Sequence, residues 1–235
     1  MVALLALSAL LSVNVLFAQV ASNEGKFQDI FNQHNEFYGL PISDSADSPF
    51  LLFDKWFEEA IDKPELDPNA FVLSTVGPDL IPSSRVVYLK GIKDEKFIFF
   101  TNYLSQKGRE LAQNPNVSML FFWPQLKRQV RLSGIATKIP QEDSDAYFSS
   151  RPRDNQIRAW ASNQSQPINS RQELIDEVEL IKSTYTETVP RPPYWGGYEV
   201  EVFQIEFWQG MPSRLHDRLV YTLVDGKWQK IRKNP

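Results

Sequence analysis

The sequence contains no cysteine, which excludes disulfides, zinc–thiolate centres and cysteine nucleophiles. Only two histidines occur, His34 and His216, so a multi-histidine metal site is excluded as well. Glycine is sparse, 10 of 235 residues, and no G-x-G-x-x-G or Walker pattern is present. A nucleotide held by a glycine-rich turn is therefore not expected, and anionic groups have to be gripped by side chains. Basic residues are dispersed, and 25 Lys and Arg against 29 Asp and Glu give a net charge of −4, so nothing marks a nucleic-acid surface. Any redox chemistry must then come from a bound cofactor.

The N-terminus is apolar: Met1–Asn23 has no charged side chain, and Val2–Phe17 is interrupted only by Ser8, Ser12 and Asn14. That is the length of a signal-peptide core and short of the roughly 20 residues that cross a bilayer, so no stable membrane span is expected. The segment resembles a secretory signal, but it lacks a basic flank, Ala18 and Ala21 do not form an A-x-A site, and without arginine it fits a mitochondrial presequence less well. Secretory or organellar targeting and a misplaced start both stay open. The expected organisation is this segment over 1–23, an N-terminal arm over 24–47 and one domain over 48–235, a length a single β-rich unit commonly reaches.

Within the domain, Ser48-Pro49 reads as an N-cap followed by a proline at the first helical position, with Phe50, Leu51, Phe53, Trp56, Phe57 and Ala60 recurring on one face up to Asp62. Runs rich in β-branched and aromatic residues predict strands at Phe71–Val76, Ser84–Lys90, Lys96–Thr101, Val117–Trp123 and Arg128–Ile139. Helices are predicted over Ser105–Gln113, Gln141–Ser162 and Ser170–Thr184, and strands return at Tyr198–Phe207, Leu219–Val224 and Trp228–Arg232. Antiparallel strands with helices between them make an α+β architecture around a barrel.

The densest functional pattern lies near the C-terminus. Arg214, His216 and Arg218 alternate, so an extended segment would project all three to one side, and Trp208 and Gln209 just before them offer a flat apolar surface and an amide. Arg85 and Lys90 stand at the ends of one predicted strand, on opposite faces if it is regular, while Tyr147 and Arg151 are four apart on a predicted helix, where both could meet a phosphate.

Several ordered blocks extend this pattern: Arg85-Val-Val-Tyr-Leu-Lys90, Phe99-Phe-Thr-Asn102 with Ser105 and Lys107, Arg128-Gln-Val-Arg131, Tyr147-Phe-Ser-Ser-Arg151-Pro, Ala159-Trp-Ala-Ser-Asn-Gln164-Ser165, Trp195-Gly-Gly197 and Arg214-Leu-His-Asp-Arg218. Over Ser48–Pro235 the chain resembles the pyridoxamine (pyridoxine) 5'-phosphate oxidases, flavoproteins that make pyridoxal 5'-phosphate. The resemblance implies a split β-barrel that dimerises with FMN at the subunit interface. It further implies oxidation of pyridoxamine 5'-phosphate and pyridoxine 5'-phosphate, with O2 as acceptor and release of H2O2. The residues it assigns to FMN are Arg85, Val86, Val87, Tyr88, Leu89, Lys90, Phe100, Thr101, Gln106, Lys107, Gln129, Gln164, Ser165, Trp208 and Arg218. To the substrate it assigns Lys90, Tyr147, Arg151, Asn155, Arg214, Leu215 and His216, with Arg214 and His216 the catalytic pair and Asp67 at an active-site aspartate position. The family implies a cytoplasmic protein; the apolar N-terminus leaves the other destinations open.

Three positions depart from the family pattern. Gln106 stands where arginine is usual, Asn155 where a serine touches the substrate phosphate, and Arg158 where a glycine precedes Ala159-Trp160. Asparagine presents a carbonyl oxygen that a phosphate repels, so Asn155 is expected to weaken the phosphate subsite, with Arg158 restoring positive charge nearby. The stretch Phe31–Leu40 also lacks the arginine expected on the arm that covers the active site. These departures keep open a non-catalytic flavin- or pyridoxal-phosphate-binding protein of the same fold.

Overall fold

The computed structural model describes residues 41–42, 48–63 and 65–235; the apolar segment 1–23 and nearly all of the arm lie outside the described residues. Among the described residues no helix is long and apolar enough to cross a membrane. The first helix, α1 (Pro49–Asp62), starts where the sequence places it, with Ser48 Oγ accepting from the Phe50 N–H at 3.2 Å. Its apolar face fills the concave side of a curled antiparallel sheet. Phe53 is fully buried and meets Phe97 and Phe121 edge-on at 5.0 and 5.2 Å, and Trp56 meets Phe207 at 5.2 Å.

The sheet contains β1 (Ala70–Val76), β2 (Pro82–Tyr88), β3 (Gly91–Lys93), β4 (Lys96–Asn102), β5 (Asn116–Trp123), β6 (Arg128–Lys138), β7 (Trp195–Gln209), β8 (Asp217–Val224) and β9 (Lys227–Lys233). Its continuous path is β2-β1-β5-β6-β7-β4-β3, and β8 and β9 branch from β7. The 15-residue β7 makes this branching: Trp195–Glu201 pairs with β4 and Gln204–Gln209 with β8, while β6 runs along its other edge. A bulge at Ser133/Gly134 bends β6 where the split occurs; a Cβ on Gly134 would lie 2.5 Å from the Glu201 carbonyl oxygen, so only glycine fits. The architecture is the α+β split barrel expected from the sequence.

Helix α2 (Gln106–Gln113) joins β4 to β5, and α3 (Gln141–Ser150), α4 (Arg153–Ala161) and α5 (Arg171–Thr184) lie between β6 and β7. The single helix expected over 141–162 is two. Pro152 disfavours helical dihedrals in the residue before it, and Arg151 is extended at φ −73°, ψ 149°. Phe148, Ile157, Val189 and Trp195 form a second small core that seats these helices on the sheet.

Two other expectations are corrected. β2 ends at Tyr88, so strand alternation does not relate Arg85 to Lys90; the chain bends there, and the Lys90 N–H donates to the Ile98 carbonyl at 2.8 Å. The alternation of Arg214, His216 and Arg218 fails too. Pro212–Arg214 form a tight 3-10 turn, Ser213 and Arg214 take left-handed φ values of 56° and 60°, and only Arg218 lies on β8. Each such non-glycine residue costs on the order of 1 kcal/mol or more, strain that the surrounding fold must hold.

Candidate active site

The corner between α3 and α4 turns Arg151 inward. Gln156, on the first turn of α4, donates its side-chain N–H groups to the carbonyls of Phe148, Ser149 and Arg151 at 3.0, 3.2 and 3.1 Å, which satisfies the end of α3 and fixes the corner. The Arg151 guanidinium then lies 4.4 Å above the Trp195 ring. Trp195, Phe100 and Tyr147 form a nearly parallel aromatic wall, with Phe100 and Tyr147 centroids 3.8 Å apart. Gly197 allows that packing, because a Cβ there would sit 2.3 Å from Ile139 and 2.9 Å from Phe100.

This wall borders a cleft of about 560 Å3 lined by Val86, Val87, Tyr88, Lys90, Phe100, Thr101, Lys107, Tyr147, Arg151, Asn155 and Gln164 among others. Lys90, Lys107 and Arg151 bring three cations to it, and no carboxylate lines it among the described residues. Among the described residues, Arg151 Nη1 is buried without a hydrogen-bond partner. Burial disfavours its charged form, an effect the nearby Tyr147 partly offsets. A buried donor of this kind calls for an anion.

At the other end of the cleft, Lys107 Nζ lies 3.0 Å from Gln164 Oε1, 3.2 Å from Thr101 Oγ1 and 3.4 Å from Ser105 Oγ. Burial and then the neighbouring Arg85 charge lower its pKa to about 8, with Glu110 opposing. Arg85 stands behind the cleft, donating to the Leu73 carbonyl, Thr75 and Ser83 and pairing with Glu110 at 3.4 Å. Burial pushes the Glu110 carboxyl up, but hydrogen bonds from Thr75, Ser83 and Gln106 and the Arg85 charge outweigh it, and its pKa is lowered. Gln106 is thus turned to Glu110 at 2.9 Å. Glu110 escaped the sequence reading, although Gln106 four residues before it on a helix was a usable signal.

Leu89 is buried between the core and a neighbouring cavity, Ser165 lies beside the cleft on the α4–α5 loop at φ 69°, and Asp67 accepts from the Tyr88 hydroxyl at 3.4 Å. The remaining expected residues form a second patch. Gln129, Trp208 and Arg218 are directly opposite one another across β6, β7 and β8, so they share one face. Arg218 makes two hydrogen bonds to Glu206, at 3.0 and 3.1 Å. The His216 ring packs on Trp208 at 4.7 Å, and its Nδ1 accepts from the Met211 N–H at 3.2 Å, which places the proton of the neutral ring on Nε2. Leu215 and His216 line a cavity of about 460 Å3 with Pro41, Asp217 and Arg232. Gln209, by contrast, is fully buried, its amide engaged by Arg128 and the carbonyls of Leu126 and Lys127, so it is structural.

The two patches sit at opposite ends of β7. Gly196 pairs with Thr101 beside the cleft, whereas Trp208 is twelve residues further on, roughly 40 Å along the strand. One chain therefore presents two separate patches of the expected residues.

A curled antiparallel sheet that splits along the long strand β7, with α1 packed against its concave side, defines the split-barrel fold. A solved structure from Nostoc punctiforme described as a pyridoxamine 5'-phosphate oxidase-related, FMN binding protein shares it, with TM-score 0.64 at 16% identity over 81% of this chain and all of that one. Residues 57–185 match the family model described as pyridoxamine 5'-phosphate oxidase, and residues 195–235 match one described as the pyridoxine 5'-phosphate oxidase C-terminal dimerisation region. The chain belongs to the pyridoxamine 5'-phosphate oxidase family. It is 50% identical over 198 residues to the pyridoxine/pyridoxamine 5'-phosphate oxidase of Paraburkholderia phytofirmans, covering 83% of this chain and 93% of that protein. The Rubrobacter xylanophilus protein of the same name is 46% identical over 215 residues, 90% of this chain and 99% of that one. PhzG from Burkholderia lata, solved with tetrahydrophenazine-1-carboxylic acid, superposes with TM-score 0.78 at 30% identity, covering 82% of this chain and 95% of that one.

Proposed function

We propose that the chain is an FMN-dependent oxidase that converts pyridoxamine 5'-phosphate and pyridoxine 5'-phosphate to pyridoxal 5'-phosphate, with O2 as electron acceptor and H2O2 as product, water releasing the nitrogen of the amine substrate as ammonia. The observation that carries this reading is the buried Arg151 Nη1, without a hydrogen-bond partner among the described residues, in a cleft whose described lining has three cations and no acid. A phosphate is the ligand such a donor suits. Arg151, Lys90, Tyr147 and Asn155 would take the substrate phosphate, and Lys107, with Arg85 behind it, the phosphate of FMN. Bound there, FMN would supply two-electron redox chemistry at the C4' position of the substrate, with O2 as the final acceptor.

The chain's own residues orient and hold. Arg214 steers the pyridine ring, and His216, with its proton on Nε2, offers that ring a hydrogen bond. Gln129 and Trp208 face the flavin edge. Because these groups lie at the far end of β7 from the cleft, a complete site needs a second copy, in keeping with the match to a dimerisation region. The homodimer would place FMN where the two half-sites meet.

Purification followed by assay under air tests the reading. The protein should be yellow, hold about one FMN per chain, and release peroxide and pyridoxal 5'-phosphate when either substrate is added. A colourless protein that cannot be reconstituted refutes the cofactor. A yellow one that makes no peroxide refutes the oxidase and leaves a binding protein.

A further inference from the structure

The cleft has a side chamber. Arg151, Asn155, Gln164 and Trp195 line both the cleft and an adjoining cavity of about 290 Å3, and Arg158 lines only the latter. Arg158 sits on α4 three residues beyond Asn155, and its Nη1 donates to Asn155 Oδ1 at 3.4 Å. A guanidinium has donors only, so this contact decides which end of the carboxamide faces it. The oxygen turns to Arg158, the NH2 group makes no hydrogen bond among the described residues, and Asn155 lines the main cleft as well as the chamber.

We propose that Arg158 is a positioning residue for the substrate-phosphate subsite, holding Asn155 so that its Nδ2 donor, and not its repelling oxygen, meets the anion gripped by Arg151. The proposal rests on the reading of Arg151 as the phosphate grip. It makes one feature of two departures from the family pattern. A serine hydroxyl can rotate to donate and needs no partner to orient it; an asparagine amide does. The side chain of Arg158 is 64% exposed and lies 3.9 Å from Asp154, so its charge is screened and partly matched before it reaches the cleft. The contact with Asn155, not a long-range field, is what Arg158 contributes.

Four proteins test this as a cycle: the wild type, Arg158→Ala, Asn155→Ser and the double variant, all FMN-loaded and assayed with pyridoxine 5'-phosphate. Alanine is used because glycine inside α4 would loosen the helix. Arg158→Ala should raise KM about three- to tenfold with kcat unchanged, the range for partial loss of one charge-assisted hydrogen bond. In the Asn155→Ser background the same change should move KM less than about twofold. Where turnover is absent, the Kd for pyridoxal 5'-phosphate supplies the same cycle. Equal effects in both backgrounds, or none in the first, overturn the proposal. Arg151→Ala separates it from the reading beneath: an unchanged KM there sinks both, whereas a steep rise with no effect of Arg158→Ala sinks only the positioning role.

Discussion

Lys107 makes a pH-dependent prediction whose two signs come from one group. Its pKa in the protein without flavin is about 8, held down by burial and by Arg85. A phosphate dianion placed at Nζ would raise it toward the ordinary lysine value of about 10.4. FMN binding then takes up a proton above pH 8, and affinity must fall as pH rises. With those two pKa values the loss between pH 7 and pH 9 is about tenfold. Folding has the opposite sign. The unfolded chain keeps the lysine proton up to about 10.4 while the flavin-free fold releases it near 8, so the stability of the flavin-free protein rises through that window. Fluorescence titration of FMN at a series of pH values reads the first slope, and urea unfolding of the flavin-free protein reads the second. Lys107→Met should flatten both and weaken FMN at pH 7 by about tenfold or more, the scale of one charge-assisted hydrogen bond. A wild-type affinity that stays level from pH 7 to 9, or a slope that survives in Lys107→Met, would refute the assignment of this lysine to the flavin phosphate.

Four further outcomes are expected. Arg214→Leu should lower kcat/KM at least about tenfold while FMN stays bound, since an oriented charged contact is worth on the order of 1.5–3 kcal/mol; loss of flavin instead would show a different role. Gln156→Ala should raise KM for pyridoxine 5'-phosphate more than it lowers kcat, because three carbonyls at the α3–α4 corner lose their donor and Arg151 its anchor; steady-state kinetics with unchanged KM would refute this. Phe53→Ala should destabilise the fold by about 3–5 kcal/mol in urea unfolding, the cost of emptying a fully buried aromatic site, and a loss under about 1 kcal/mol would mean that α1 is not part of the core. Co-expressed Arg151→Ala and Arg214→Leu chains should recover activity that neither has alone, up to about a quarter of wild type, since half the random dimers are mixed and each mixed dimer keeps one intact site; no recovery would mean that each site is built from a single chain.

Most of the element positions were legible because side-chain periodicity is a local property. The Ser48 cap, the start of α2 and the strands β1, β4, β5 and β6 lie within two residues of where the sequence puts them. Two of the misses share a cause. Pro152 and Pro212 break a pattern that residue types alone would continue, giving the α3–α4 corner and the turn at Arg214. The cleft members were legible as blocks, but not the hydrogen bonds that divide them. Arg85 and Arg218 carry the charge that marks an anion site, yet the first is paired with Glu110 and the second with Glu206, contacts between residues 25 and 12 positions apart.

That pairing has a consequence for how the site selects its ligands. Glu110 and Glu206 neutralise arginines that stand behind or apart from the cleft, while Lys90, Lys107 and Arg151 face it without a carboxylate. Cationic charge is therefore concentrated in the cleft that the Trp195, Phe100 and Tyr147 rings border. Holding such a cleft together without a ligand is unfavourable, as the depressed Lys107 and the unpartnered Arg151 donor both record. An anion bound at each end would relieve the group that faces it. The fold tolerates the arrangement because the Phe53 core and the Gln156-clamped corner hold the walls independently of what fills the cleft.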